Sequence, residues 1–224
     1  HAHVFLATGA QLGKRLGVAV ETRNMAFDGL IPALMLNQVD SAIAAISLTP
    51  ERDTLVDFSS VYYGGADALL ARNDATFQLT GLQDLANYQI GVQTGSVYEA
   101  WVRDTLISPG LLKPQYLHTY QTMNEALQAL VSPEPPIALV MMDLPPAQTA
   151  LLTQPVKMVA QGLNPQEYAI AIPQGAKTLQ VQINTALKDM EGDGTLAALA
   201  ANYLQVTQPL PLPTPAPTQP PATP

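Results

Sequence analysis

DSAIAAISLTPERDTLVDFSSVYYGG, residues Asp40 to Gly65, is the stretch on which the reading of this chain turns. Ala42 to Ile46 is an apolar run of strand length, Ser47-Leu48-Thr49 a short polar break, and a helix start follows. Thr49 suits the N-cap, since its hydroxyl can accept an orphan amide of the first turn. Pro50 suits the first helical position, where no N–H is needed. Arg52 then falls in the first turn, where the helix dipole repels a cation. A charge set against that field at a strand end calls for an anionic partner. Spacing leaves two: an ion pair with Glu51, Asp53 or Asp57, or a ligand carboxylate gripped bidentately by the guanidinium fork.

Outward from this stretch, composition sets the bounds. The chain has 224 residues, 47% hydrophobic and 12% charged, enough for one large domain or two small lobes with their own cores. No run approaches the roughly 18 apolar residues of a membrane span. A net charge of -8 argues against a nucleic-acid partner, which needs a basic face. There is no cysteine, so no disulfide, thiol nucleophile or thiolate metal site is expected. No cofactor is expected. The start at His1, without Met or leader, suggests processing, trimming or a tag.

LGKRLGV reads as the end of an amphipathic helix with Gly17 as its C-cap, and VAVE (18–21) as a strand. Phe27-Asp28 opens the helix FDGLIPALMLNQV, with Asp28 as N-cap. ADALLAR (66–72) is apolar throughout, like a buried strand. A strand–helix rhythm follows: LTGLQDL a helix capped by Thr80 with Gln83, YQIGVQ a strand, VYEAWVRDTL a helix with a Ser96/Glu99 capping box. QYLHTY is a strand, TMNEALQAL a helix boxed by Thr122 and Glu125, and IALVMMD and VKMVAQ are strands. EYAIAIP (167–173) is another, and two helices split at Gly192-Asp193-Gly194 close the domain. Alternation of this kind predicts an α/β fold with largely parallel pairing. From Thr207 eight of eighteen residues are proline, a segment that cannot bury a core and reads as linker or tail.

Two further places carry polar chemistry. GVQTGS (91–96) is a strand–turn–helix whose free amides make an anion site, with Gly95 letting a ligand approach the backbone. It lacks the spacing of a nucleotide-binding loop. Asp143 ends an apolar strand before Leu144-Pro145-Pro146, as an N-cap of the next helix or as partner to a buried cation. His118 lies between Tyr116 and Tyr120 on a strand and reads as surface. No triad, paired-carboxylate or metal spacing stands out, so no enzyme is expected.

D-x-x-I-A-x-I-S-L-T-P-E-R-x-x-x-V-D-F-S-x-x-Y-Y resembles the signature of the family 3 solute-binding proteins, the amino-acid receptors of ABC importers, and the resemblance runs from about Leu12 to Leu204. It implies a two-lobed periplasmic-binding-protein type II fold with a hinged cleft. Lobe 1 would comprise residues 1–71 and 170–206, lobe 2 residues 72–169, and the proline-rich tail 207–224. Lobe 1 would lack its first strand. In the family, the arginine matched by Arg52 holds the ligand's α-carboxylate, helped by the hydroxyl at Ser47 and the amides of the Gly95-Ser96 turn. The aspartate matched by Asp143 binds the α-ammonium from the other lobe. Phe27 matches an aromatic that lines the pocket, against a plain core role. Ala44 and Ala45 would offer only backbone carbonyls, and Gln93, Tyr98 and Met142 would face the ligand from lobe 2. With Asp143 the sole acid among these positions, a lysine or arginine ligand is disfavoured. The implied function is capture of a polar amino acid for an ABC-transporter permease, by a monomer in the periplasm or outside the cell, with or without a membrane tether. A ligand-sensing domain of a tethered receptor and a cyclohexadienyl dehydratase-like enzyme are the alternatives.

Overall fold

A computed structural model of the chain describes residues 2–76 and 79–204; the proline-rich segment 207–224 lies outside the described residues. The helices are α1 (Ala2–Leu16), α2 (Leu30–Met35), α3 (Pro50–Asp53), α4 (Val97–Trp101), α5 (Met123–Val131), α6 (Leu144–Thr153), α7 (Lys177–Gly192) and α8 (Thr195–Leu204). The strands are β1 (Val56–Phe58), β2 (Tyr63–Gly65), β3 (Asp67–Arg72), β4 (Ile90–Gln93), β5 (Leu117–Tyr120), β6 (Leu139–Asp143), β7 (Val156–Gln161), β8 (Gln166–Tyr168) and β9 (Ala171–Pro173). Together they build the expected mixed α/β, two-lobed type II architecture.

The first lobe is organised around residues 166–173. β9 pairs antiparallel with β1, and β8 with β2. The residues between keep the two segments zipped, through Ser59 N to Ile170 O at 2.9 Å and Tyr62 N to Tyr168 O at 3.0 Å. On its other side runs the stretch expected to be a strand at Ala42 to Ile46. It makes only single bridges, Ala42 with Ala171 and Ser47 with Tyr168. Ala45 explains the interruption, because its φ of 51° lies in the left-handed region and breaks the extended ladder. VAVE likewise forms no strand; Val18 and Val20 are exposed.

Alternation along this central segment makes two cores. Ile170 and Ile172 face Leu12, Ile183, Leu187 and Met190 of α1 and α7. Ala169 and Ala171 face Leu34, Ile46, Val56 and Phe58. Gly17, at φ 69°, ends α1 as expected, with Val18 N returning to Gly13 O at 3.0 Å. Arg15 pins α1 to the α7–α8 turn by donating to Asp193 Oδ2 at 2.5 Å and Thr195 Oγ1 at 3.0 Å.

The second lobe is a five-stranded sheet, order β5-β4-β6-β3-β7. β4 is parallel to β5 and β6, whereas β3 is antiparallel to β6 and β7. Pairing is therefore mixed rather than largely parallel, since β3 and β7 lie where the chain crosses between lobes. β3, read from sequence as the last strand of the first lobe, sits inside this sheet, and the crossing falls at β2 and β8. Its unbroken apolar run is buried on both faces. Leu69 and Ala71 pack with Ile90, Val92 and Met141 on one side, Ala68 and Leu70 with Val140, Met142 and Leu130 on the other.

Local caps agree with the sequence in part. Thr122 and Glu125 form the expected box. The turn before 82–87 is held by Asp84, which accepts from Thr80 N, Thr80 Oγ1 and Gly81 N, not by Gln83. Asp28 lies inside a 3-10 turn, Phe27–Gly29, and does not cap it. The helix after Ser96 is α4 continued by a π-helical turn, Val102–Ile107.

Leu69 is 1% exposed at the centre of the larger sheet. Leu69→Ala should therefore cost about 2–5 kcal/mol in denaturant unfolding. Leu152→Ala, at a side chain 75% exposed, should stay within about 0.5 kcal/mol of the parent.

Candidate functional site

β4 and β6 run parallel and end at the same edge, which faces the first lobe, the place where open α/β sheets bind ligands. The turn after β4 carries Gly95 and Ser96; β6 ends on Asp143. Across from them stands α3 with Arg52.

Thr49 caps α3 as expected, its hydroxyl accepting from Arg52 N at 3.3 Å, and Pro50 is the first helical residue. The guanidinium donates from Nη1 to Ser47 O at 2.9 Å and from Nη2 to Gly95 O at 3.0 Å. Its carbon lies 5.6 Å from the centroid of the Phe27 ring, a cation–π distance. Among the described residues no carboxylate comes within 4.0 Å of it. Asp57, one sequence candidate, is taken by Lys177 Nζ at 2.9 Å and Gly175 N at 2.8 Å. Burial pulls the Arg52 pKa below its ordinary value, with the Glu51 charge opposing. Phe27 and Arg52 share a cleft of about 100 Å³ with Asp28, Leu30, Ile31, Ile46 and Gly95.

The glycine turn differs from expectation in one respect. Gly95 N is not open to a ligand: it donates to Glu99 Oε2 at 2.8 Å, and Glu99 also pairs with Arg103 Nη2 at 2.7 Å. Ser96 caps α4 by accepting from Glu99 N at 3.3 Å. Gly95 has φ 72°, and a Cβ there would lie 3.0 Å from Asp28 Cβ, so the close approach it permits is between lobes.

Asp143 occupies the N-cap position of α6, yet its side chain makes no cap. It has no partner there, because the cap would need the amides of the second and third helical residues, and these are Pro145 and Pro146. Its Oδ1 accepts instead from Tyr98 Oη at 2.5 Å and from Tyr168 Oη. Burial pushes the Asp143 carboxyl above the usual carboxylate range; the two hydroxyls oppose this and the Asp67 charge adds to it. Burial also raises the phenols of Tyr98 and Tyr168, with the Asp143 charge reinforcing it. Both remain hydroxyl donors.

The remaining sequence candidates divide. Ser47 is 2% exposed and meets Arg52 through its carbonyl. Ala45 holds the strained bend next to Ile46, and the buried Tyr62 hydroxyl beside its backbone makes no hydrogen bond of normal geometry. Gln93 donates to Gln121 O at 3.1 Å. Met142 is buried in the core against α5 and α6 and does not face the cleft. His118 is bonded to Gln89 at the sheet edge.

Sequence reading missed Tyr168, Asp67 and Asp28. Asp67 is fully buried and accepts from Leu163 N at 3.1 Å and Asn164 N at 2.6 Å, tying β3 to the return loop. A lone aspartate opening an otherwise apolar strand was the available signal.

Residues 7–206 match the family model of bacterial extracellular solute-binding proteins, family 3. The arginine-binding extracellular protein ArtP of Bacillus subtilis (strain 168) is 40% identical over 88 residues, 39% of this chain and 34% of ArtP. The L-cystine-binding protein TcyJ of Escherichia coli (strain K12) is 26% identical over 197 residues, 86% of this chain and 70% of TcyJ. An ancestral arginine-binding protein bound to arginine superposes with a TM-score of 0.81 at 30% identity, over 89% of this chain and 87% of that one.

Gly95→Ala should place a methyl against Asp28 at a φ that costs a non-glycine residue about 1–2 kcal/mol. The expected result is a lower Tm and a larger radius of gyration by small-angle X-ray scattering. An unchanged radius would mean the turn gives way without parting the lobes.

Proposed function

Because this chain belongs to the bacterial extracellular solute-binding proteins of family 3, we propose that its cleft captures an amino acid outside the cytoplasm and delivers it to an ABC-transporter permease. The observation that carries the reading is Arg52: a half-buried guanidinium with no carboxylate within 4.0 Å among the described residues, bonded only to two carbonyl oxygens and stacked on Phe27. Such a fork is suited to the two oxygens of an α-carboxylate. The second lobe supplies Asp143 for the ammonium, among donors that are all neutral. A zwitterion held at both ends ties the lobes together, so recognition is coupled to closure.

Pockets that bury small ligands measure about 300–1,000 Å³. The present cleft is about 100 Å³. Admission therefore requires the lobes to part, and Arg52 Nη2 to exchange Gly95 O for the ligand. No helix among the described residues is long and apolar enough to cross a membrane. The side chain of the ligand is a finer matter. Asp28, which the sequence offered only as a helix cap, lines the cleft and favours a cationic side chain; L-arginine is the first probe.

Arg52→Ala should weaken L-arginine binding by about 3–5 kcal/mol, a few hundred- to several thousand-fold in Kd, by calorimetry on protein shown folded by circular dichroism. Arg52→Lys keeps the charge but loses the parallel pair of hydrogen bonds, and should fall between. Binding within about threefold of the parent in Arg52→Ala would place the carboxylate elsewhere.

A further inference from the structure

We propose that Asp143 carries a proton of its own in the ligand-free protein and releases it to solvent when a cationic group arrives, so that capture exchanges one positive charge for another. The inference rests on the capture reading above and adds to it a dependence on pH.

The geometry comes first. Among the described residues, the titratable groups set against Asp143 are neutral or negative. α4 contributes Tyr98 and β8 contributes Tyr168, and both hydroxyls reach the same oxygen, Oδ1. β3 contributes Asp67, whose Cα stands opposite that of Asp143 in the β3–β6 register. The segment before β2 contributes Tyr62, close enough for the Asp143 charge to act on its phenol. α6 begins at the next residue with Leu144, Pro145 and Pro146, none of them titratable. Among the described residues no Lys, Arg or His lies within 4.0 Å of Asp143.

Such a place pushes a carboxyl toward its acid form. Burial and the like charge of Asp67 raise its pKa, against the two hydroxyl donors. The sign follows. A folded-state pKa above the unfolded value means the fold favours the protonated form. That contribution to stability is present at acid pH and is lost as pH rises through the raised value. A bound ammonium reverses the preference. The O–H of Asp143 breaks, its proton goes to water or buffer, and an ammonium N–H donates to the carboxylate in its place.

Calorimetry with L-arginine near pH 5.5, in acetate and in MES, tests this. Release of a proton makes the observed heat differ between buffers by the difference in their ionisation enthalpies times the protons released. Kd should tighten by up to about tenfold per pH unit until the raised pKa is passed, then level off. Tyr98→Phe and Tyr168→Phe each remove a donor that favours the ionised form, and should move that midpoint to higher pH. Heats independent of buffer and a flat Kd between about pH 5 and 7, with binding intact, overturn the proposal and leave the capture reading standing. Failure of every amino acid to bind defeats the capture reading instead. In that case the ligand-free protein still decides: the Asp143 carboxyl ¹³C signal, assigned by its loss in Asp143→Asn, supports the proposal if it titrates above the ordinary aspartate range and overturns it if it titrates within that range.

Discussion

Everything functional in this molecule hangs on the antiparallel crossing where Tyr63–Gly65 meets Gln166–Tyr168. The chain passes between lobes twice, and both passages are bonded to each other there. The pairing fixes where Tyr168 stands, and Tyr168 fixes the Asp143 carboxyl group of the second lobe from a segment that continues into the core of the first. Two residues beyond β2, Asp67 secures the return loop by accepting from two backbone amides. The crossing is short, so the lobes can move as units. It is also bonded along its backbone, so they move about a defined line rather than at random.

Much of this was legible in the sequence because local chemistry and tertiary structure agree there. Thr49-Pro50 capped its helix as read, Gly17 ended the first helix, and the Thr122/Glu125 box formed. Arg52 was conspicuous because it stood against a helix dipole, and among the described residues no carboxylate comes within 4.0 Å of it. The buried strands announced themselves as apolar runs, which occur only where both faces are covered.

What was misread turned on facts that one-dimensional patterning does not carry. Ala42 to Ile46 has strand composition, but the left-handed residue in it is an alanine, and nothing in alanine advertises a positive φ. β3 was read into the first lobe because both lobes share a similar rhythm, and the sheet a strand joins depends on where the crossing lies. Asp143 is the instructive case. The sequence did hold the answer, since two prolines follow within three residues and remove the amides that a cap needs. Met142 was placed in the cleft by matching positions, whereas alternation along β6 put Val140 and Met142 together on the face away from Tyr98.

The bond from Gly95 N to Glu99 bears on the thermodynamics of the anion corner. A carboxylate four residues along the same chain is a tethered competitor, present at an effective concentration on the order of millimolar or above. Any free carboxylate that reaches this amide must displace it, and the displaced Glu99 still has Arg103 to fall back on. Affinity at this corner is therefore a difference between two anions and not the strength of one contact.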